Sequence, residues 1–179
     1  NRILTHFGIQ QIHQNPRLGI RFFINEFKRK INVSDLVFVI APRINGAGRI
    51  KHGSHAVALL LSEEKEEALS RARAIELFNS ERKELDQKIT AQALDQIKQN
   101  QEEELYSTVV FQPDWHKGVV GIVASRLIET HYRPTVVFAA SGDYYTGSVR
   151  SVKGVDVYQI LEACKAHIVQ FGGHRYAAG

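Results

Sequence analysis

The sequence predicts an α/β protein in three parts: a helical segment, a long connecting helix, and a small α/β lobe after it. Three observations carry that expectation. No glycine or proline interrupts residues 62–101, where Leu69, Ala72, Ile75, Phe78, Leu85, Ile89, Ala93 and Ile97 step by three, four or seven, the spacing of one helix face. Before that stretch, apolar residues recur at helical spacing between short Pro and Gly breaks. After residue 105, β-rich runs alternate with helical ones across short connections, as in layered α/β folds.

Taken in order, Asn1 to about Gln14 reads as a helix with Ile3, Leu4, Phe7 and Ile12 as its apolar positions. Pro16 suits the start of a second helix, Leu18 to about Lys30, which places Leu18, Phe22, Phe23 and Phe27 together. Ser34 offers an N-cap to the apolar run Leu36–Ile40, which is expected to end at Ala41-Pro42. That leaves Arg43-Ile44-Asn45-Gly46-Ala47-Gly48-Arg49 as a loop or a helix end. Ala56–Leu61 is a short apolar helix, and Ser62 fits an N-cap for the long one, with Glu63 and Glu64 in its first turn. A coiled coil would need a cleaner heptad than this, because Arg82 falls on the apolar stripe.

In the second half, Tyr106–Phe111 reads as a strand and Val119–Thr130 as a helix entered through Trp115-His116-Lys117-Gly118. Thr135–Ala140 and Tyr144–Val152 are strands joined at Ser141-Gly142-Asp143, and Val157 to about His167 is a helix.

Composition limits the function classes. The 44% hydrophobic and 23% charged content is that of an ordinary globular chain. No apolar run approaches the ~18 residues that a membrane-spanning helix needs. The single cysteine, Cys164, excludes an internal disulfide and fits a reducing compartment, hence the cytoplasm; it is expected to be a small buried hydrophobe on a helix. With no methionine and Asn1 first, the sequence reads as a piece of something larger. Residues 1–53 carry nine Lys/Arg against two acids, whereas residues 54–105 carry seven against twelve. Such a basic block suits a face turned to a polyanion, and equally an ordinary solvated surface.

Three constellations suit phosphate. In Gly172-Gly173-His174-Arg175 the glycines admit close backbone approach while imidazole and guanidinium donate; an ordinary Gly-Gly turn with a surface histidine would read the same way. Arg43, Asn45 and Arg49 flank Gly46 and Gly48, pairing guanidinium forks with open backbone. Ser148 and Arg150 share one strand face, because side chains repeat every two residues. His116 sits just before a helix N-terminus and could touch substrate or be structural. Metal chemistry has no visible home: the aspartates are isolated, and the Asp114/His116 and His52/His55 pairs are too few ligands for Mg²⁺ or Mn²⁺. There is no P-loop, no Gly-x-Ser-x-Gly elbow and no context for a cysteine nucleophile.

Four motifs now stand in register: Ala41-Pro42-Arg43-Ile44-Asn45-Gly46-Ala47-Gly48-Arg49; Trp115-His116-Lys117-Gly118-Val119-Val120-Gly121-Ile122-Val123-Ala124-Ser125-Arg126; Gly147-Ser148-Val149-Arg150-Ser151; and Gly172-Gly173-His174-Arg175-Tyr176-Ala177-Ala178-Gly179. In order and spacing they resemble the RecJ-type single-strand-specific DNA exonucleases of the DHH phosphoesterase superfamily. The resemblance implies a bilobed 5′→3′ exonuclease acting in DNA repair and recombination with Mn²⁺ or Mg²⁺. Single-stranded DNA is then the partner, with a helicase and a single-strand-binding protein in the full-length setting. It also implies a division into a helical tail of the DHH catalytic lobe (1–61), a connecting helix (62–104) and a DHH-associated α/β substrate-binding domain cut at its C-terminal end (105–179).

The family's metal ligands lie upstream of Asn1, so this segment alone is expected to bind no metal and to be inactive. By the resemblance, Ser148 and Arg150 are the 5′-phosphate pocket, while Gly172, Gly173 and His174 close over the metal site and hold the reacting phosphate. Arg43, Asn45 and Arg49 are backbone contacts near the strand's entry. Gly46 stands where the family commonly has alanine, a change expected to be harmless. Superfamily oligonucleotide and cyclic-dinucleotide phosphodiesterases share the Gly-Gly-His element and remain an alternative, as does a non-catalytic nucleic-acid-binding module.

Overall fold

A computed structural model describes residues 1–179, which divide into two compact units, Asn1–Lys83 and Glu84–Gly179. The boundary falls inside one uninterrupted helix, so each unit is described by itself.

The first unit is helical. α1 (Arg2–Gln14) and α2 (Leu18–Ile24) come first. The chain turns away from helix at Asn25, short of the expected Lys30, and Arg29 forks onto Asp35 at 2.7 and 2.8 Å. Asp35 also closes a capping box with Asn32 at the start of α3 (Val33–Asp35). The Arg29 fork, and after it the Asn32 N–H, hold the Asp35 carboxyl below the usual carboxylate range.

The expected break at Pro42 does not occur. A π-helical turn, Leu36–Ile40, leads straight into α4 (Ala41–Ile50), with the Ala41 N–H bonded to the Leu36 carbonyl. Proline lacks an N–H and its ring crowds the carbonyl four residues back; the wider π turn absorbs both, and the helix continues. The Arg43–Arg49 motif is therefore helical. α5 (Ser54–Leu61) follows, and the Ser62 hydroxyl turns back to the Ala58 carbonyl at 2.8 Å instead of capping the next helix.

Phe23, Ile31, Ile40, Ala47, Ala56, Leu59, Ala72 and Ile75 form the core of this unit. Gly19 is required there, since a Cβ would run into the Leu59 backbone carbonyl. Gly46 is different: a Cβ would meet the Asn79 Cα and Oδ1 at 3.4 Å, ordinary contact. Gly46→Ala removes a glycine from a helix interior, where it costs about 1 kcal/mol. The expected result is an unchanged fold and an unfolding free energy, read from urea denaturation, raised by up to about that amount; a lowered one would show the α4 contact to be closer than it looks.

α6 (Lys65–Gln99) runs for 35 residues without interruption, as the sequence periodicity requires, starting slightly later and ending slightly earlier than expected. Its second half belongs to the second unit, where Ile89, Ala93 and Ile97 are buried. The elements there are β1 (Thr108–Gln112), α7 (Val120–Thr130), β2 (Thr135–Ser141), β3 (Tyr144–Arg150), α8 (Val157–Ala163), β4 (Gly173–His174) and β5 (Ala177–Ala178). They build one sheet in the order β1-β2-β3-β5-β4, with only the β1–β2 pair parallel.

α7 packs on β2 and β3 through buried Val120, Val123, Ala124 and Leu127. α8 covers the opposite face, where Val157 meets Val149 and Ala178. Asp156 caps α8 by accepting from the Tyr158 and Gln159 N–H groups. Cys164, expected to be buried, is exposed at the end of α8, because the helix stops there and gives way to a 3₁₀ turn.

Two arginines hold the second unit's joints. Arg126 of α7 forks onto Asp86 of α6 at 2.7 and 2.8 Å, and Asp86 is 1% exposed. Arg133 is itself buried and spends its donors on the Glu102, Glu103 and Leu105 carbonyls and the Thr108 hydroxyl, at 2.6 to 2.7 Å.

Candidate functional site

Register decides which of the sequence-predicted residues meet. Within β3, Ser148 and Arg150 share a face, and the Arg150 Nη1 donates to the Ser148 Oγ at 3.0 Å and to the Val149 carbonyl at 2.8 Å. Across the sheet Arg150 pairs with Ala177, and Ala177 pairs with His174. Directly opposed residues project to the same side. Arg150, Ala177 and His174 therefore form one row on the Ser148 face, with Arg150 and His174 two strand spacings apart, about 10 Å. Beside them, Gly172 and Gly179 exchange two backbone hydrogen bonds of 2.9 Å and add no side chains.

The hairpin around His174 depends on Gly173. Its φ is 152°, and a Cβ would collide with the Ala177 carbonyl and with Ala178. His174 is exposed, and its Nδ1 accepts the Tyr176 N–H at 3.2 Å. In the neutral ring the proton then sits on Nε2, which is left as an outward donor. Arg175, also exposed, lies over the Tyr176 ring at 5.7 Å.

His116 is half-buried in the turn that leads to α7. Its Nδ1 accepts the Gly118 N–H at 3.1 Å, so this imidazole shapes the turn and presents its other nitrogen. Trp115 next to it is buried and donates to Gln92 of α6 at 2.9 Å. α7 then passes over the Ser148 face so closely that Gly121 lies against both Ser148 and Arg150. Sequence reading missed Gly121. A glycine inside a helical pattern, serving no turn, was the available signal.

In the first unit, Arg43, Asn45 and Arg49 lie on α4, Asn45 and Arg49 exposed. Arg43 is 19% exposed and engaged: Glu26 accepts its Nη2 at 2.9 Å, Glu76 stands 2.6 Å from its Nε as an ion pair without hydrogen-bond alignment, and the Phe23 ring lies beneath it. Two carboxylates already balance its charge. Its partners lie on α6 and beyond α2, which no local motif could reveal.

A hydroxyl, a guanidinium and an imidazole N–H on one face, beside bare glycine backbone, make a receptor for anionic oxygen. They do not make a receptor for Mn²⁺ or Mg²⁺, which take carboxylate and carbonyl oxygens. No three His, Cys, Asp or Glu side chains in the chain stand close enough to share a metal ion. The donor set does not fit a divalent metal. No helix is long and apolar enough to cross a membrane.

Set against known proteins, residues 104–179 match the DHHA1 domain, so the second unit's sheet and its hairpin are of that class. The whole chain aligns with single-stranded-DNA-specific exonucleases named RecJ. It is 35% identical to that of Bacillus subtilis, of which it covers 23%, and 37% identical to that of Escherichia coli, of which it covers 33%. The crystal structure of RecJ in complex with Mn²⁺ from Thermus thermophilus superposes with a TM-score of 0.89 at 30% identity, over 100% of this chain and 26% of that one. A Mg²⁺ complex of RecJ from the same organism gives 0.87. The chain is similar to RecJ proteins along its whole length and spans a quarter to a third of the length of the curated relatives it matches.

Proposed function

We propose that this chain is the substrate-binding part of a metal-dependent, single-strand-specific 5′→3′ DNA exonuclease. The proposed division is a helical tail of the catalytic lobe (1–61), a connecting helix (62–104) and a DHH-associated domain (105–179). The observation that carries the reading is the shared face of Ser148, Arg150 and His174. Ser148 and Arg150 grip the 5′-terminal phosphate, the guanidinium pre-set by its bonds to Ser148 and to the Val149 carbonyl. His174 donates from Nε2 to a non-bridging oxygen of the reacting phosphodiester, with Gly172 and Gly173 giving the strand room to approach. Arg49, Asn45 and, after exchange of its carboxylate partners, Arg43 contact the DNA backbone nearer the strand's entry, and His116 supports the turn beside the pocket.

The Mn²⁺ or Mg²⁺ of the complete enzyme is held by residues outside this chain. An enzyme confined to single strands depends on an unwinding activity and meets strands already coated. A helicase and a single-strand-binding protein are its natural partners, and the cytoplasm is where that DNA lies. A cyclic-dinucleotide phosphodiesterase, the competing reading, has no terminal phosphate to grip and gives no use for a pre-set Ser148–Arg150 pair.

The test compares 5′-phosphorylated with 5′-hydroxyl single strands on the complete enzyme. Charge-assisted hydrogen bonds contribute roughly 1.5–3 kcal/mol each, so Arg150→Ala is expected to erase about that much preference for the phosphorylated end. Equal weakening of both substrates would reduce Arg150 to a general phosphate contact and remove the pocket from β3.

A further inference from the structure

Three glycines of the second unit would place a Cβ closer than 3.1 Å to a neighbouring group. At Gly147 a Cβ would press into the Phe138 ring, and at Gly173 into the backbone of β5; these are packing and conformational requirements. Gly121 has neither. Its φ lies outside the positive region, and it sits in the first turn of α7, where alanine is the better helix former. What a Cβ there would meet is the Arg150 Nη2 at 3.0 Å, the Ser148 Oγ at 3.0 Å and the Ser148 Cβ at 3.6 Å. The two tight contacts are with the ends of polar side chains, and both belong to the proposed 5′-phosphate receptor.

We propose that Gly121 is a positioning residue for end-group recognition: its missing side chain leaves the space in which Ser148 and Arg150 take up their receptor geometry under α7. The proposal rests on the reading of Ser148 and Arg150 as the 5′-phosphate pocket. The guanidinium is tethered through Nη1 to Ser148 and to the Val149 carbonyl, so it cannot retreat from a methyl group at 121 without loosening one of those bonds. The Ser148 hydroxyl can retreat only by rotating away from Arg150. Either adjustment, of a few tenths of an ångström, misaligns hydrogen bonds that weaken steeply with angle. The sheet and helix backbones need not move. Substitution at this position therefore separates two quantities that usually fall together: folding stability should hold or rise, and discrimination should fall.

The experiment uses the complete enzyme with Gly121→Ala, Arg150→Ala and the double variant, measuring kcat/KM on 5′-phosphorylated and 5′-hydroxyl oligonucleotides together with melting temperature. Gly121→Ala is expected to lower the phosphate/hydroxyl ratio roughly three- to tenfold with melting unchanged or raised. The double variant should be no less selective than Arg150→Ala alone, because Gly121 acts through that receptor. An unchanged ratio in Gly121→Ala, with Arg150→Ala still lowering it, overturns this proposal and leaves the pocket standing. An unchanged ratio in Arg150→Ala overturns the pocket and this proposal with it. A Gly121→Ala protein that melts earlier or does not fold makes the residue a packing glycine, and also overturns it.

Discussion

Replacing His174 by alanine in the complete enzyme is expected to lower turnover on single-stranded DNA by about 10²–10³-fold, the usual loss when one donor to a developing negative charge is removed. The imidazole is aimed by its own backbone, through the Tyr176 N–H on Nδ1, so the donor at Nε2 is in place before substrate arrives. Affinity should change much less, and the preference for a 5′-phosphate should survive, because that preference is assigned to β3 and not to the hairpin. Single-turnover rates and equilibrium binding on the two end groups separate these effects. Loss of binding in proportion to rate would make His174 a ground-state contact.

The second large effect concerns stability. Arg133→Ala is expected to cost about 3–5 kcal/mol, comparable with breaking a buried charged network from one side. Three backbone carbonyls and the Thr108 hydroxyl would lose their donor together, where the chain leaves α6 and enters β1. Against the roughly 5–15 kcal/mol of a typical domain that is a large fraction. Lysine should recover only a small part, since a single ammonium cannot span four acceptors in a plane. Urea denaturation of the three proteins checks both statements; a loss under about 1 kcal/mol would mean that water replaces the guanidinium.

What the sequence disclosed follows interaction range. Periodicity along one segment gave α6, α7 and the shared face of Ser148 and Arg150, because helix and strand periods are local. Pro42 reads locally as a stop signal, because a π turn that absorbs a proline leaves no mark in the pattern of one segment. Ser62 has the right chemistry for a cap, but its hydroxyl instead donates back to the Ala58 carbonyl. The motif that offers Arg43 to phosphate gives no sign of the two distant glutamates beside it. The alignment of His174 with Arg150 needed the β3-β5-β4 order, which no single segment encodes.

That alignment makes the lobe a ruler. The interval between Arg150 and His174 is set by main-chain hydrogen bonding across β5, and strand spacing hardly varies from protein to protein. Side-chain substitutions can blunt either mark on the scale without moving it. Under the proposed roles of Arg150 and His174, product length is consequently a property of the sheet, robust to change at individual side chains and vulnerable only where the pairing of β3, β5 and β4 is broken.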